Sequence, residues 1–340
     1  MKRWLAVALA ACIAIVAAGA ASGEDAVQVV DQASNVVIVP QPVERLICVY
    51  GPGTYLLYAL GVEDRLVLAW YVGVKGLSQA WESMFKIEPR LADILAFGDP
   101  NVEDMVSRGA ELVFAGGSAY DAFAQQLRDL GIPVIQYIVE TPDALKEAMV
   151  LSAQVLGPEA KRRAALFLYD FLRITETVEH DLVGTPPADR PRVLFVGTDP
   201  LKVASGDMYQ TWLIGAAGGV SVSADLCGGW NAVNLEQVLV WNPDVLIIPP
   251  YGPLKPESFT ASVDWQAVRA VREGRVYRMP RVFGPMDTPV PESLLGVLWL
   301  ANVLHPGAIT LDLAAEMSAF YTTYYDYALT ESELASLVHP

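Results

Sequence analysis

Short apolar runs and helical periodicities alternate along most of this chain. Val27–Val30 and Val36–Val39 flank the polar turn Asp31–Asn35, which predicts a hairpin. The pattern then predicts strand Arg45–Tyr50, helix Thr54–Leu60, strand Arg65–Ala69 and a loop-rich stretch, Tyr71–Pro100. Helix Val102–Arg108, strand Glu111–Ala115, helix Tyr120–Leu130 and strand Pro133–Ile138 follow. Strands with Val, Ile and Leu on both faces, separated by helices, indicate mainly parallel α/β sheets.

The middle of the chain breaks this rhythm. Pro142–Leu156 and Glu159–Val183 are long helical patterns separated only by Gly157-Pro158. In the second, Ala165, Leu168, Leu172 and Val178 recur at helical spacing, and residues 184–191, rich in Pro, end it. The alternation restarts with strands Arg192–Val196 and Lys202–Ala204, helices Tyr209–Ala217 and Leu235–Trp241, and strands Asp244–Pro249 and Arg275–Met279. Two helices, about Pro291–Leu304 and Leu311–Tyr327, are expected to finish the chain. The expectation is therefore an α/β protein with two Rossmann-like lobes, residues 21–157 and 185–340. One long helix, 158–184, joins them, and the ligand cleft lies between the lobes. A helical linker implies limited relative motion.

Composition narrows the function. A 340-residue chain with 53% hydrophobic and 18% charged residues can bury two cores. Its net charge of −16, with no basic run, argues against nucleic-acid binding. Residues 1–20 read as an export signal: Lys2 and Arg3, the apolar stretch Trp4–Ala18, then a small-residue site at Ala18-Gly19-Ala20. Cleavage near Ala20 is expected to leave an exported, soluble protein beginning near Ala21. A lipoprotein-like Leu9-Ala10-Ala11-Cys12 lies too early for a normal apolar region. Of the cysteines that remain, Cys48 lies in an apolar run and reads as a buried thiol, while Cys227 lies in a Gly-rich loop. Whether they pair is left open.

Enzyme readings find little support. Gly116-Gly117-Ser118-Ala119-Tyr120 fails the nucleophile-elbow pattern at its last position, which leaves a secreted α/β hydrolase as the weaker alternative. No His-Glu-x-x-His occurs, and Gly51-Pro52-Gly53 is a lone glycine pair. His180, His305 and His339 do not cluster at metal spacing, so neither a bound metal nor a cofactor is expected.

Several segments resemble one family. Val36–Tyr50 with Ala59-Leu60-Gly61 is similar to its opening strand, turn and helix. Asn101-Val102-Glu103 running into Ala110-Glu111-Leu112-Val113 resembles its Glu-bearing helix followed by a strand. Asn234-Leu235-Glu236-Gln237 running into Asn242-Pro243-Asp244-Val245-Leu246-Ile247 repeats that pattern in the second lobe. The first departs from it in having Gly-Ala-Glu where the family often has Lys-Pro-Asp. The family is that of the helix-linked, class III periplasmic substrate-binding proteins of ABC import systems for iron complexes and siderophores, haem and vitamin B12. The resemblance implies a monomer that hands its ligand to a transmembrane permease dimer driven by a cytoplasmic ATPase. In it, Glu103 and Glu236 are the docking carboxylates on the two lobes.

Ligands of open α/β sheets sit beyond the carboxyl ends of the strands. That rule selects Tyr50, Gly51, Trp70, Tyr71, Gly117 and Ser118 in the first lobe. In the second it selects Trp212, Trp230, Tyr251 and Arg281. Aromatics beside glycines suit a planar or bulky ligand, and Arg281 and Lys75 suit a carboxylate or oxyanion. The segment Pro280–Pro306, with Asp287 and Glu292, resembles a subgroup serving iron complexes, so a ferric siderophore is the expected ligand. Molybdate or tungstate, haem or a corrinoid are the alternatives. Glu292 is expected to do no more than cap the helix that follows.

Overall fold

The computed structural model of the protein describes residues 26–338; the expected leader, the start near Ala21 and His339 lie outside the described residues. In chain order the first half comprises β1 (Ala26–Val30), β2 (Val36–Pro40), β3 (Leu46–Cys48), α1 (Gly51–Ala59), β4 (Leu66–Ala69), α2 (Glu82–Ile87), α3 (Leu91–Ile94), α4 (Val102–Ser107), β5 (Leu112–Ala115), α5 (Asp121–Asp129) and β6 (Val134–Gln136). Helices α6 (Pro142–Leu156) and α7 (Pro158–Asp181) follow. The second half comprises β7 (Arg192–Phe195), β8 (Lys202–Val203), α8 (Tyr209–Ala216), β9 (Val220–Ser221), β10 (Asn231–Ala232), α9 (Leu235–Trp241), β11 (Val245–Ile248), α10 (Glu257–Thr260), α11 (Arg269–Arg272) and β12 (Val276–Arg278). It ends with α12 (Ser293–Leu304), α13 (Leu313–Tyr325) and α14 (Glu331–Val338).

Each half folds around a four-stranded parallel sheet. The first has strand order β4-β3-β5-β6 and the second β12-β11-β7-β9, so both are wound the same way. Fully buried strands such as Val245–Ile248 and Leu112–Ala115 explain the unbroken apolar runs. The order reverses between β3 and β5 in one sheet and between β7 and β11 in the other. A ligand is therefore expected near the loops that leave these four strands.

Helix α7 has 24 residues and rises about 36 Å at 1.5 Å per residue. Its buried stripe is Ala160, Ala164, Phe167, Phe171, Ile174 and Val178. This corrects the expected stripe: Ala165 is exposed, as is Leu172, and Leu168 sits on the shoulder. The bulkier Phe rings take the inward positions, where they meet Tyr324 and Trp212. Lys202-Val203 is likewise corrected. It pairs antiparallel with Asn231-Ala232 outside the main sheet, and Val220-Ser221 takes the sheet edge instead. The stretch read as loop, 71–100, contains α2 and α3, and a third terminal helix, α14, follows the two expected. These elements are too short to show a period.

The last helices return to the first lobe. Helix α13 packs on α1, and Arg163 at the start of α7 donates to the carbonyls of Thr323 and Tyr324. Arg173 grips Glu316 through two charge-assisted bonds of 2.6 and 2.7 Å. One continuous core therefore runs from the β1–β2 hairpin through both lobes to Leu337. No helix among the described residues is long and apolar enough to cross a membrane.

Candidate functional site

The loop that follows β12 joins the lobes. Burial of Phe283 is complete, in a cage of Tyr55, Tyr58 and Tyr71 from the first lobe and Tyr325 from α13. Ring centroids lie 4.8–6.0 Å away, all in edge-on geometry. Trp81 Nε1 donates to the Val282 carbonyl at 2.5 Å, and the Ser83 hydroxyl donates to the same oxygen. The second lobe is thus plugged into the first.

Arg281 lies at the mouth of this plug. Its guanidinium carbon sits 3.5 Å from the centre of the Trp81 ring. Nε donates to the Phe283 carbonyl, and Nη2 donates to the Val72 carbonyl at 2.9 Å and to the Tyr55 hydroxyl at 3.4 Å. Nη1 has no hydrogen-bond partner among the described residues. It borders Gly73, where an added Cβ would lie 3.8 Å from it and 3.5 Å from Tyr251 Cβ. Gly73 has φ +72°, which a side chain would strain, and its bareness lets the two lobes meet here. Burial lowers the Arg281 pKa, and Tyr55 partly offsets this. Burial also pushes the Tyr55 hydroxyl up to about 12, so it stays a neutral partner.

Two buried acids stand behind Arg281. Asp287 accepts from the Tyr251 hydroxyl at 2.9 Å and from Gln210 Nε2 at 3.4 Å. Its Oδ1 and Gln210 Oε1 are buried without a partner among the described residues. Burial raises the Asp287 carboxyl to about 6, against the lowering effect of Tyr251 and Gln210. Glu292 Oε1 accepts the Gly284 N–H at 2.6 Å. Its Oε2 makes no well-formed hydrogen bond, although the Tyr325 hydroxyl bears on it. Burial raises Glu292 to about 7. The expectation that Glu292 caps a helix is corrected: its side chain makes no capping bond to α12 and binds back to the loop. Its carboxylate is committed to the Gly284 N–H and not to the first N–H groups of α12.

The remaining expected site residues fall into groups. Tyr50 sits at the carboxyl end of β3, its hydroxyl donating to the Val139 carbonyl at 3.3 Å and held neutral by burial and by Glu140. Gly51 opens α1 against Val72, and Gly117 lies beside Ile138. Ser118 starts the short 118–120 turn. Trp230 leans on Gly197, at the point where the second sheet reverses order; an added Cβ there would lie 3.1 Å from the ring. Tyr251 and Arg281 are brought together. Three others are placed elsewhere. Tyr71 is 4% exposed and shares a 2.8 Å hydrogen bond with Tyr58. Trp70 donates to the Gly98 carbonyl and packs on the outer face of the first sheet. Trp212 stacks on Phe171 of α7. Lys75 is exposed. Sequence reasoning missed Tyr55, Trp81, Gln210 and Phe283. A signal did exist for the acids: residues 282–304 contain no charged residue other than Asp287 and Glu292.

Both proposed docking helices are built alike. Asn101 accepts the Asp104 N–H at 3.1 Å, and Asn234 accepts the Gln237 N–H at 2.8 Å. Glu103 and Glu236 are exposed in the first turns of α4 and α9, and neither has an ion-pair partner among the described residues. Neighbouring Asp104 and Asp244 are paired, with Arg108 and Arg269. An open groove bordered by Asp99, Pro100, Phe123 and Gln126 runs beside Glu103. Cys48 is buried and Cys227 exposed, both as free thiols. No cluster of three or more His, Cys, Asp or Glu suited to a metal occurs among the described residues.

Comparisons with known proteins agree with this architecture. The chain is 22% identical over 327 residues to the molybdate-binding protein MolA of Haemophilus influenzae, covering 87% of this chain and 90% of that one. It is 28% identical over 211 residues to a vitamin B12-binding protein of Yersinia pestis, covering 61% and 70%. A periplasmic solute binding protein from Veillonella parvula superposes with a TM-score of 0.79 at 21% identity, covering 92% of this chain and 97% of that one. Residues 46–282 match the family model described as periplasmic binding protein, and the chain belongs to that family.

Proposed function

We propose that this protein captures a small anionic ligand between its lobes and presents it, outside the cytoplasm, to the permease of an ABC importer. The observation that carries this reading is Arg281, whose Nη1 edge lies free where Tyr251 meets Gly73 across the lobe junction. A guanidinium backed by Trp81 and held by carbonyls is oriented before any ligand arrives, so little ordering cost falls on binding. The close approach at Gly73 favours a compact oxyanion such as molybdate or tungstate, and the similarity to MolA supports the same choice. A ferric siderophore, the ligand expected from sequence, is the second reading. Tyr50 and Trp230, both half-buried beside the strand ends, favour it as walls for a bulkier guest. Glu103 and Glu236 serve as the docking carboxylates, steering a two-lobed protein onto a two-fold permease.

The test is a titration of the purified protein with molybdate, tungstate, ferric siderophores, haem and cobalamin, followed by Trp fluorescence and calorimetry. Saturable binding of one anion, weakened at least about 100-fold by Arg281→Ala, is the expected result; loss of a charged hydrogen bond of about 3 kcal/mol gives that factor. Binding that survives Arg281→Ala unchanged sinks the assignment of Arg281.

A further inference from the structure

The helices that carry Glu103 and Glu236 are one element built twice. Numbered by chain order within its lobe, each sheet has its strands in the order 2-1-3-4, and each helix leads into the third, β5 or β11. Its entry is the Asn cap already described, and its exit is pinned alike in both lobes. The N–H groups of Glu111 and Asp244 donate to the carbonyls of Arg45 and Arg192 at 3.0 and 2.8 Å. In return, their carboxylates accept the N–H groups of the same two arginines at 3.1 and 2.9 Å. With both ends fixed, one helix can be laid on the other from its cap. Asn101 matches Asn234, the exposed Glu103 matches Glu236, the buried Met105 matches Val238, and Val106 matches Leu239.

Val106 and Leu239 are 47% and 38% exposed. Each stands three residues after its carboxylate, on the same helix face. A single exposed aliphatic side chain needs no explanation on any protein surface. The same kind of side chain at the same register of a duplicated, rigid mount does, when the carboxylate beside it has no ion-pair partner among the described residues. We propose that Val106 and Leu239 are paired apolar anchors of the docking surface, each entering a recess beside a basic side chain on one subunit of a two-fold permease. This rests on the docking reading of Glu103 and Glu236 above. The two kinds of residue act over different ranges. An exposed carboxylate attracts a cation through water over about a Debye length, so it sets how fast and in what orientation the partners meet. An aliphatic side chain acts only on contact, by leaving water, so it sets how slowly they part. A partner with two equal sites gives the repeated element its use; a partner with one site would need it once.

The experiment has a mapping arm and a kinetic arm. A photo-crosslinking amino acid at position 106 or 239 of the full chain, expressed in its native host, should capture the same polytopic membrane protein from both positions. It should capture none from position 183, where Val183 is 82% exposed just beyond α7. Capture from only one of the two positions, from neither, or equally from position 183 overturns the proposal. In the second arm the captured membrane protein, purified with its ATPase into nanodiscs, is the binding partner. Val106→Ser combined with Leu239→Ser should dissociate at least about tenfold faster, the effect of two partly exposed aliphatic side chains no longer leaving water. Its association rate and the salt dependence of that rate should not change. Glu103→Gln combined with Glu236→Gln should instead slow association and flatten its salt dependence. Wild-type dissociation in the first variant, with the second behaving as expected, overturns this inference alone. Wild-type association in the second variant overturns the docking reading and this inference with it.

Discussion

Replacing Glu292 with Gln should stabilise the protein at alkaline pH and leave it nearly unchanged under acid conditions. The carboxyl is fully buried, and burial raises its pKa from 4.5 to about 7. A raised carboxyl means that the folded state favours the proton. The associated stability is fully present below the unfolded value, about pH 4.5, and is lost as pH rises through about 7. The difference of about 2.5 units, at 1.36 kcal/mol per unit, is a penalty of about 3 kcal/mol at pH 8. Glutamine keeps an oxygen for the Gly284 N–H and cannot ionise, so Glu292→Gln should recover most of that penalty. For a protein of this size about 3 kcal/mol corresponds to a rise in Tm of roughly 4 °C. Thermal melts at about pH 5 and pH 8 measure it. They are best done in an Asp287→Asn background, because Asp287 titrates in an overlapping window. A gain of equal size at both pH values, or a loss at pH 8, would refute the reasoning. Either result would mean that the carboxylate is compensated in place.

Three further outcomes are expected. Phe283→Ala empties the cage formed by Tyr55, Tyr58, Tyr71 and Tyr325 and should cost about 3–5 kcal/mol in urea denaturation, while Phe283→Leu should cost less. Charge reversal at both Glu103 and Glu236 should abolish uptake in cells yet leave ligand affinity of the purified protein intact; a drop in affinity would place these residues in the cleft instead. Arg173→Ala removes the two-bonded clasp on Glu316 and should cost about 1–3 kcal/mol, with the loss smaller at high salt.

The periodic elements were legible because burial leaves a direct imprint on them. Pro142–Leu156 and Leu235–Trp241 match to the residue, and the parallel strands are unbroken apolar runs. Glu103 and Glu236 came from the resemblance of Asn101-Val102-Glu103 and Asn234-Leu235-Glu236-Gln237 to a family pattern, and the Asn cap that opens each of their helices is what the structure adds. The lobe junction was readable only in part. Arg281 and Tyr251 stand out as polar or aromatic residues just beyond strands, but their partners are remote. Val72, Tyr55 and Trp81 meet Arg281 across about 200 or more intervening residues, which no local pattern records. Tyr71 misled for the converse reason. An aromatic after a strand shows the same letters whether its ring faces a cleft or fills the core, and here Tyr58 claims it.

The plug at Phe283 also sets an order of assembly. Tyr55 and Tyr58, in α1, meet Tyr71 within the first lobe but find their remaining aromatic neighbours only once residues 283 and 325 have been made. As the chain emerges from the ribosome, the first lobe can form its sheet but not seal its aromatic face, and that face stays wet until more than two hundred further residues have followed. Sealing of that face is therefore a debt the first lobe carries until the second lobe and the last helices arrive, so a chain cut short before residue 283 leaves it uncovered.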